Sequence, residues 1–118
     1  MLKDATGFDH IYIACGYTDL RKGISGLLMI IENEFYLNPF HPNSIYLFCG
    51  RRGNTIKAIV MEDDGCLLLT KKLNTGRYQW PRSTKEVKDI SEEQFKLLMD
   101  GFEIEQHSTI RKTGIAYI

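Results

Sequence analysis

Two short apolar runs, Ile45-Tyr46-Leu47-Phe48-Cys49 and Ile56 to Met61, bracket the stretch Gly50-Arg51-Arg52-Gly53-Asn54-Thr55. Runs this short, rich in β-branched and aromatic residues and bounded by turn residues, read as strands joined by a tight connection. The connection concentrates two glycines and two arginines. Glycine lets backbone N–H groups approach a partner closely. An arginine guanidinium is a planar fork suited to phosphate. The octet Gly50–Lys57 therefore holds the makings of an anion site, and its simpler reading is a β-turn with solvated arginines.

A hairpin follows. Ile56 to Glu62 and Cys66 to Leu73 are joined through Asp63-Asp64-Gly65, and Asp-Gly between apolar strands is a strong short-range hairpin signal. Lys71 and Lys72 lead into the turn Asn74-Thr75-Gly76. Arg77-Tyr78-Gln79-Trp80-Pro81-Arg82 then mixes cations with aromatics, the pairing found on surfaces that stack bases and grip phosphates. Core or edge packing is the plainer role for such aromatics.

Upstream, His10 to Cys15 reads as a first strand, broken by Gly16-Tyr17-Thr18-Asp19. Thr18 suits a helix N-cap, with Asp19 in the first turn. Leu20, Ile24, Leu27, Leu28, Ile31 and Phe35 form one apolar stripe and predict a helix over about 19–36. Arg21 and Lys22 fall at the helix start, the unfavourable end for cations, which suits either a partner or two solvated side chains. Downstream, Ser91 with Gln94 makes a capping box, and Ile90 with Phe95 a hydrophobic staple. Phe95, Leu98, Met99 and Phe102 give that helix its apolar side, with Gly101 near its stop.

The 118 residues fit a single domain, with residues 1–8 and about 108–118 expected to be loose. The net charge is zero, yet its distribution is uneven. Residues 50–85 carry eight Lys or Arg against three acids, and residues 86–107 carry two against seven. A basic middle hints at a polyanionic partner, unless the two halves simply face each other. The three cysteines, Cys15, Cys49 and Cys66, are widely spaced without a C-x-x-C. They read as core thiols in a reducing cytoplasm, not as a metal or redox motif. No apolar run approaches the ~20 residues of a membrane span, so the expectation is a soluble cytoplasmic protein with no membrane partner. The acids Glu62, Asp63 and Asp64 fit the needs of the hairpin turn, and no cofactor or metal is expected.

Several ordered blocks resemble one family. Ala14-Cys15-Gly16, Thr18-Asp19, Arg21-Lys22-Gly23, Gly26-Leu27, Phe48-x-Gly50-Arg51-Arg52-Gly53, Ile56-Lys57, Asp64-Gly65, Lys71-x-Leu73, Gly76-Arg77 and Trp80-Pro81 together resemble the TnpB-type accessory protein of bacterial insertion-sequence-66 transposons. That family is distinct from the RNA-guided nuclease of the same name. The resemblance runs from about Tyr12 to Pro81. It implies a non-catalytic helper of DNA transposition, encoded beside a separate transposase, and it carries over no catalytic residue. The chain departs from the family pattern at Tyr17, often Pro there, at Val60-Met61, often a Trp pair, and at Glu62-Asp63, often Asp-Gly.

Three functions compete. The first is an accessory module that contacts DNA, expected at the transposon ends, through Arg51, Arg52, Lys57, Lys71, Lys72, Arg77 and Trp80, with Arg21 and Lys22 beside them. Lys and Arg contacts to phosphate would give salt-dependent affinity with little sequence reading. The second is an adaptor that binds the transposase through complementary charge without touching DNA. The third, a remote alternative, is a metal-dependent nuclease using Asp19, Glu62, Asp63 or Asp64. Two-metal chemistry needs carboxylates converging from separate elements, and three consecutive turn residues do not supply that. The reading adopted is a single α+β domain with no enzymatic activity. It has a small, mostly antiparallel sheet with a central β-hairpin, covered by two helices.

Overall fold

The computed structural model describes residues 2–82 and 85–104. Five strands form one sheet: β1 (His10–Ala14), β2 (Ser44–Cys49), β3 (Thr55–Glu62), β4 (Gly65–Lys72) and β5 (Val87–Asp89). Their order across the sheet is β4-β3-β2-β1-β5. β1 and β2 run parallel, and the other three pairings are antiparallel. The fold is thus α+β on a mixed, mostly antiparallel sheet.

The apolar run before the arginines becomes the middle strand. Every residue of β2 is buried, as suits a strand with neighbours on both edges and apolar clusters on both faces. Ile11, Ile13, Ile45, Leu47, Cys49, Ile56 and Ala58 look to one side, where Tyr78, Trp80 and Ile90 join them. So do Phe95, Leu98 and Met99 of the helix α2 (Glu92–Met99). Ala14, Tyr46, Phe48 and Ile59 look to the other side, with Leu27 of the helix α1 (Ile24–Met29) and with Ile31 just beyond it. Residues 2–8, expected to be loose, set Leu2, Ala5 and Phe8 against the first cluster. The tail expected to be loose, about 108–118, lies outside the described residues.

The hairpin β3–β4 forms through Asp63-Asp64, with Glu62 paired to Gly65. It lies at an edge of the sheet, however, and not at its centre. The reason is chemical. β2 is apolar on both faces and needs flanking strands. β4 alternates half-buried with exposed residues and ends in Lys71-Lys72, which an edge tolerates.

The first helix is shorter than its stripe predicts. Its N-cap is Gly23, not Thr18. The Asp19 side chain accepts the Arg21 backbone N–H at 3.0 Å, a local bond that competes with helix formation. Thr18 N–H is already bound to the Cys49 carbonyl at the end of β2. Past Met29 the helix widens into a π-helical turn over Ile30–Glu34, where Phe35 N–H reaches back to the Ile30 carbonyl. In α2, Ser91 and Gln94 complete the capping box in both directions. Gly101 N–H bonds Leu98 O and Phe102 N–H bonds Leu97 O, a Schellman stop.

Candidate nucleic-acid interface

The site is built from the β2–β3 turn outward. Gly53 N–H donates to the Gly50 carbonyl at 3.0 Å, closing a four-residue turn that carries Arg51 and Arg52 at its exposed tip. Gly53 has φ +76°, the left-handed region open to glycine. A Cβ at this position would lie 2.8 Å from Arg82 Nη2 and 3.4 Å from Arg77 Cβ. Two further arginines thus crowd the turn.

They are brought there by the segment after β4, which crosses the same end of the sheet as a strap. Leu73 N–H bonds the Asn54 carbonyl, and Tyr78 N–H bonds the Gly53 carbonyl, each at 2.7 Å. Farther along, the Trp80 indole N–H donates to the Ala14 carbonyl at 2.8 Å. Gly16 N–H donates to the Pro81 carbonyl at 2.8 Å. Tyr78 and Trp80 are buried, so their rings anchor the strap, while Arg77 and Arg82 stay exposed.

Tyr17 gathers the cations. The Arg82 guanidinium carbon lies 4.5 Å from the Tyr17 ring centroid, and that of Arg51 lies 5.6 Å away. Both distances are within cation–π range. Arg82 Nη1 also donates to the Tyr17 hydroxyl at 2.8 Å. Beside this group an open cleft of about 800 Å³ runs between residues 17–21 and 50–55.

The nine residues expected to contact nucleic acid divide. Arg51, Arg52 and Arg77 meet at this end of the sheet. Arg21 stands on the cleft wall, but its guanidinium is engaged. Nε and Nη2 bond the two Asp19 carboxylate oxygens at 3.0 and 2.9 Å. Those hydrogen bonds hold the Asp19 carboxyl well below the usual carboxylate range. Lys57 Nζ donates to the Lys22 carbonyl at 3.4 Å, which ties these two together. Lys72 pairs with Thr55 and Lys71 with Ile56, so the two lysines point to opposite faces of β4. Trp80 does not join the surface. It is 4% exposed, and its polar atom is taken by Ala14.

Sequence reasoning missed Tyr17 and Arg82 as site residues. Arg82 closes the cation–aromatic segment, and Tyr17 marks a departure from the family pattern. Neither signal says that the two meet, 65 positions apart. Arg82 also acts on its neighbour Cys49. Burial pushes the Cys49 thiol up to about 11, and the positive charge of Arg82 offsets part of that rise. Glu62, Asp63 and Asp64 are exposed on the hairpin turn. Among the described residues, no three His, Cys, Asp or Glu side chains group as metal ligands.

The family model described as "IS66 Orf2 like protein" matches residues 9–109. The chain belongs to the IS66 Orf2-like family. Membership associates it with transposition, in an accessory role. Two relatives come from Sinorhizobium fredii. The uncharacterized protein y4hO is 34% identical over 93 residues, which cover 79% of this chain and 80% of that one. The uncharacterized protein y4jC is 27% identical over 93 residues, covering 79% of each chain. No solved structure matches. Within the IS66 Orf2-like match fall the arginine turn, the strap and Tyr17. No helix among the described residues is long and apolar enough to cross a membrane.

Proposed function

We propose that this IS66 Orf2-like protein assists transposition by holding DNA, at the ends of the element, on the cation surface formed by Arg51, Arg52, Arg77 and Arg82 around Tyr17. One observation carries the reading: four exposed arginines from two separate chain segments converge on one end of the sheet, two of them on one tyrosine ring. Exposed guanidiniums with no carboxylate partner among the described residues suit backbone phosphates. By contrast, Arg21 is held by Asp19 and is a poorer contact. Such a surface grips the duplex and contributes affinity more than base reading. The separate transposase is the natural protein partner of this complex, and the acidic first turn of α2, with Glu93 exposed and Glu92 paired to Lys96 at 3.6 Å, offers it a surface opposite in charge to the arginines.

The test is a titration of the protein against a labelled duplex carrying the element's terminal repeat, at several salt concentrations, beside a scrambled duplex. Four phosphate contacts predict a log–log salt slope of about −4, and Arg51→Ala with Arg52→Ala should reduce its magnitude by about 2. Preference for the terminal repeat would add base or shape readout. A wild-type protein that binds neither duplex at low salt overturns the DNA reading and favours an adaptor for the transposase.

A further inference from the structure

β4 forms one edge of the sheet, and among the described residues no strand pairs with its outer side. Edge strands are ordinarily short, charged or broken by proline, because their open N–H and C=O groups recruit other strands. β4 spans eight residues and has no charge from Gly65 to Thr70. Leu67 and Leu69 share a face and remain 42% and 37% exposed. The strand also has opposite charges at its two ends. Glu62, Asp63 and Asp64 precede it, and Lys71 and Lys72 close it.

The groups that face outward follow from the turn. Glu62 and Gly65 flank the two-residue turn and form its hydrogen-bonded pair. Alternation along an antiparallel ladder then directs the backbone groups of Leu67, Leu69 and Lys71 toward β3. Those of Cys66, Leu68, Thr70 and Lys72 point away from the sheet.

We propose that the β4 edge is a self-pairing interface, to which a second copy of this chain adds antiparallel about a two-fold axis through Leu68. In that register the outward groups of Leu68 meet those of its counterpart, and Cys66 meets Thr70 of the second copy. Leu67 lies opposite Leu69 of the second copy, so four exposed leucines join into one apolar patch. Lys72 lies opposite Asp64 of the second copy, and the symmetry makes that contact twice. A parallel pairing would instead set acids against acids and lysines against lysines. The charge pattern therefore selects both the second copy and its direction.

The test is sedimentation equilibrium of the full chain over a hundredfold range of concentration. The expected result is a reversible species of twice the 13.6 kDa chain mass. A single-chain mass at every concentration overturns the proposal. Thr70→Pro removes an outward N–H at an exposed edge position, where proline is tolerated within one copy. It should give a folded monomer by circular dichroism, and a dimer that survives it overturns the proposal. Lys72→Glu should shift the midpoint of association at least tenfold to higher concentration. Adding Asp64→Lys should restore it, because each pair is then reversed. Failure of the reversed pair to recover association, in a protein that melts like the wild type, also overturns the proposal.

Discussion

The Arg82 guanidinium both covers the ring of Tyr17, 4.5 Å from its centroid, and hydrogen-bonds its hydroxyl at 2.8 Å. One side chain thus sets the position of a cation by two contacts. Tyr17→Phe should keep the ring contact and lose the hydroxyl. Tyr17→Ala should lose both, and with them the contact to Arg51. An exposed cation–π contact is worth about 0.5–1 kcal/mol, so DNA affinity should fall roughly two- to fivefold for alanine and less for phenylalanine. Anisotropy titrations at one fixed salt concentration measure the difference. Equal affinities for all three proteins would remove Tyr17 from the surface.

Trp80 offers the opposite case, an aromatic side chain whose work is internal. Trp80→Phe leaves the Ala14 carbonyl without its indole donor. An unsatisfied buried polar group costs about 1–3 kcal/mol, to be read from the urea midpoint. At a temperature where the variant stays folded, the salt slope of DNA binding should match the wild type. A weaker affinity at fixed salt, with slope and stability unchanged, would mean that the ring stacks on nucleic acid directly.

Gly53→Ala should affect stability and binding together. A residue with a Cβ in the left-handed region costs about 1–2 kcal/mol. The new methyl group would also lie 2.8 Å from Arg82 Nη2 and push that guanidinium aside. A lower melting temperature and weaker DNA binding are both expected. Ser91→Ala, which deletes the cap of α2 at a cost of about 1 kcal/mol, should lower the melting temperature alone.

Much of this architecture was legible locally. β2, β3 and β4 follow from apolar runs interrupted by Gly-Arg-Arg-Gly and Asp-Asp-Gly. α2 follows from Ser91, Gln94 and Gly101, whose roles depend on neighbours within a few residues. The first helix was overread because Asp19 looks like a first-turn acid, whereas its carboxylate binds Arg21 and holds residues 19–22 out of the helix. β5 is only three residues long, too short for any periodic pattern. The site was half legible. Arg51, Arg52 and Arg77 stand out by composition. Arg82 reaches Tyr17 only because Trp80 and Pro81 dock on Ala14 and Gly16, a long-range event with no local signal. The same docking buries Trp80, which the surrounding cations made look like a stacking residue.

Alkaline pH should destabilise the protein through Cys49. Its thiol is pushed up from 9.0 to about 11, chiefly by burial. Between those values the unfolded chain releases a proton that the folded chain keeps. Stability is therefore complete below about pH 9 and falls as pH rises toward about 11. Urea midpoints at pH 8, 9 and 10 should decline, and less steeply in Cys49→Ala. Some slope should persist, because burial also raises Tyr46, Tyr78 and Cys66. Thiol labelling of the folded protein at pH 8 should modify Cys66 first, as Cys15 and Cys49 are buried.

The strap after β4 is fastened at Asn54, Gly53, Ala14 and Gly16 before any partner arrives. The backbone at Arg77 and Arg82 therefore holds a set spacing from the turn that carries Arg51 and Arg52. The entropy lost in ordering that backbone is spent during folding, so association need not supply it again. A mobile basic tail could mould itself to any polyanion. On the DNA-holding role proposed above, a braced array would act more like a gauge, favouring those duplexes whose phosphates suit the fixed spacing of its backbone. Local groove width and bend would then decide which stretch of DNA fits, even with no base edge touched.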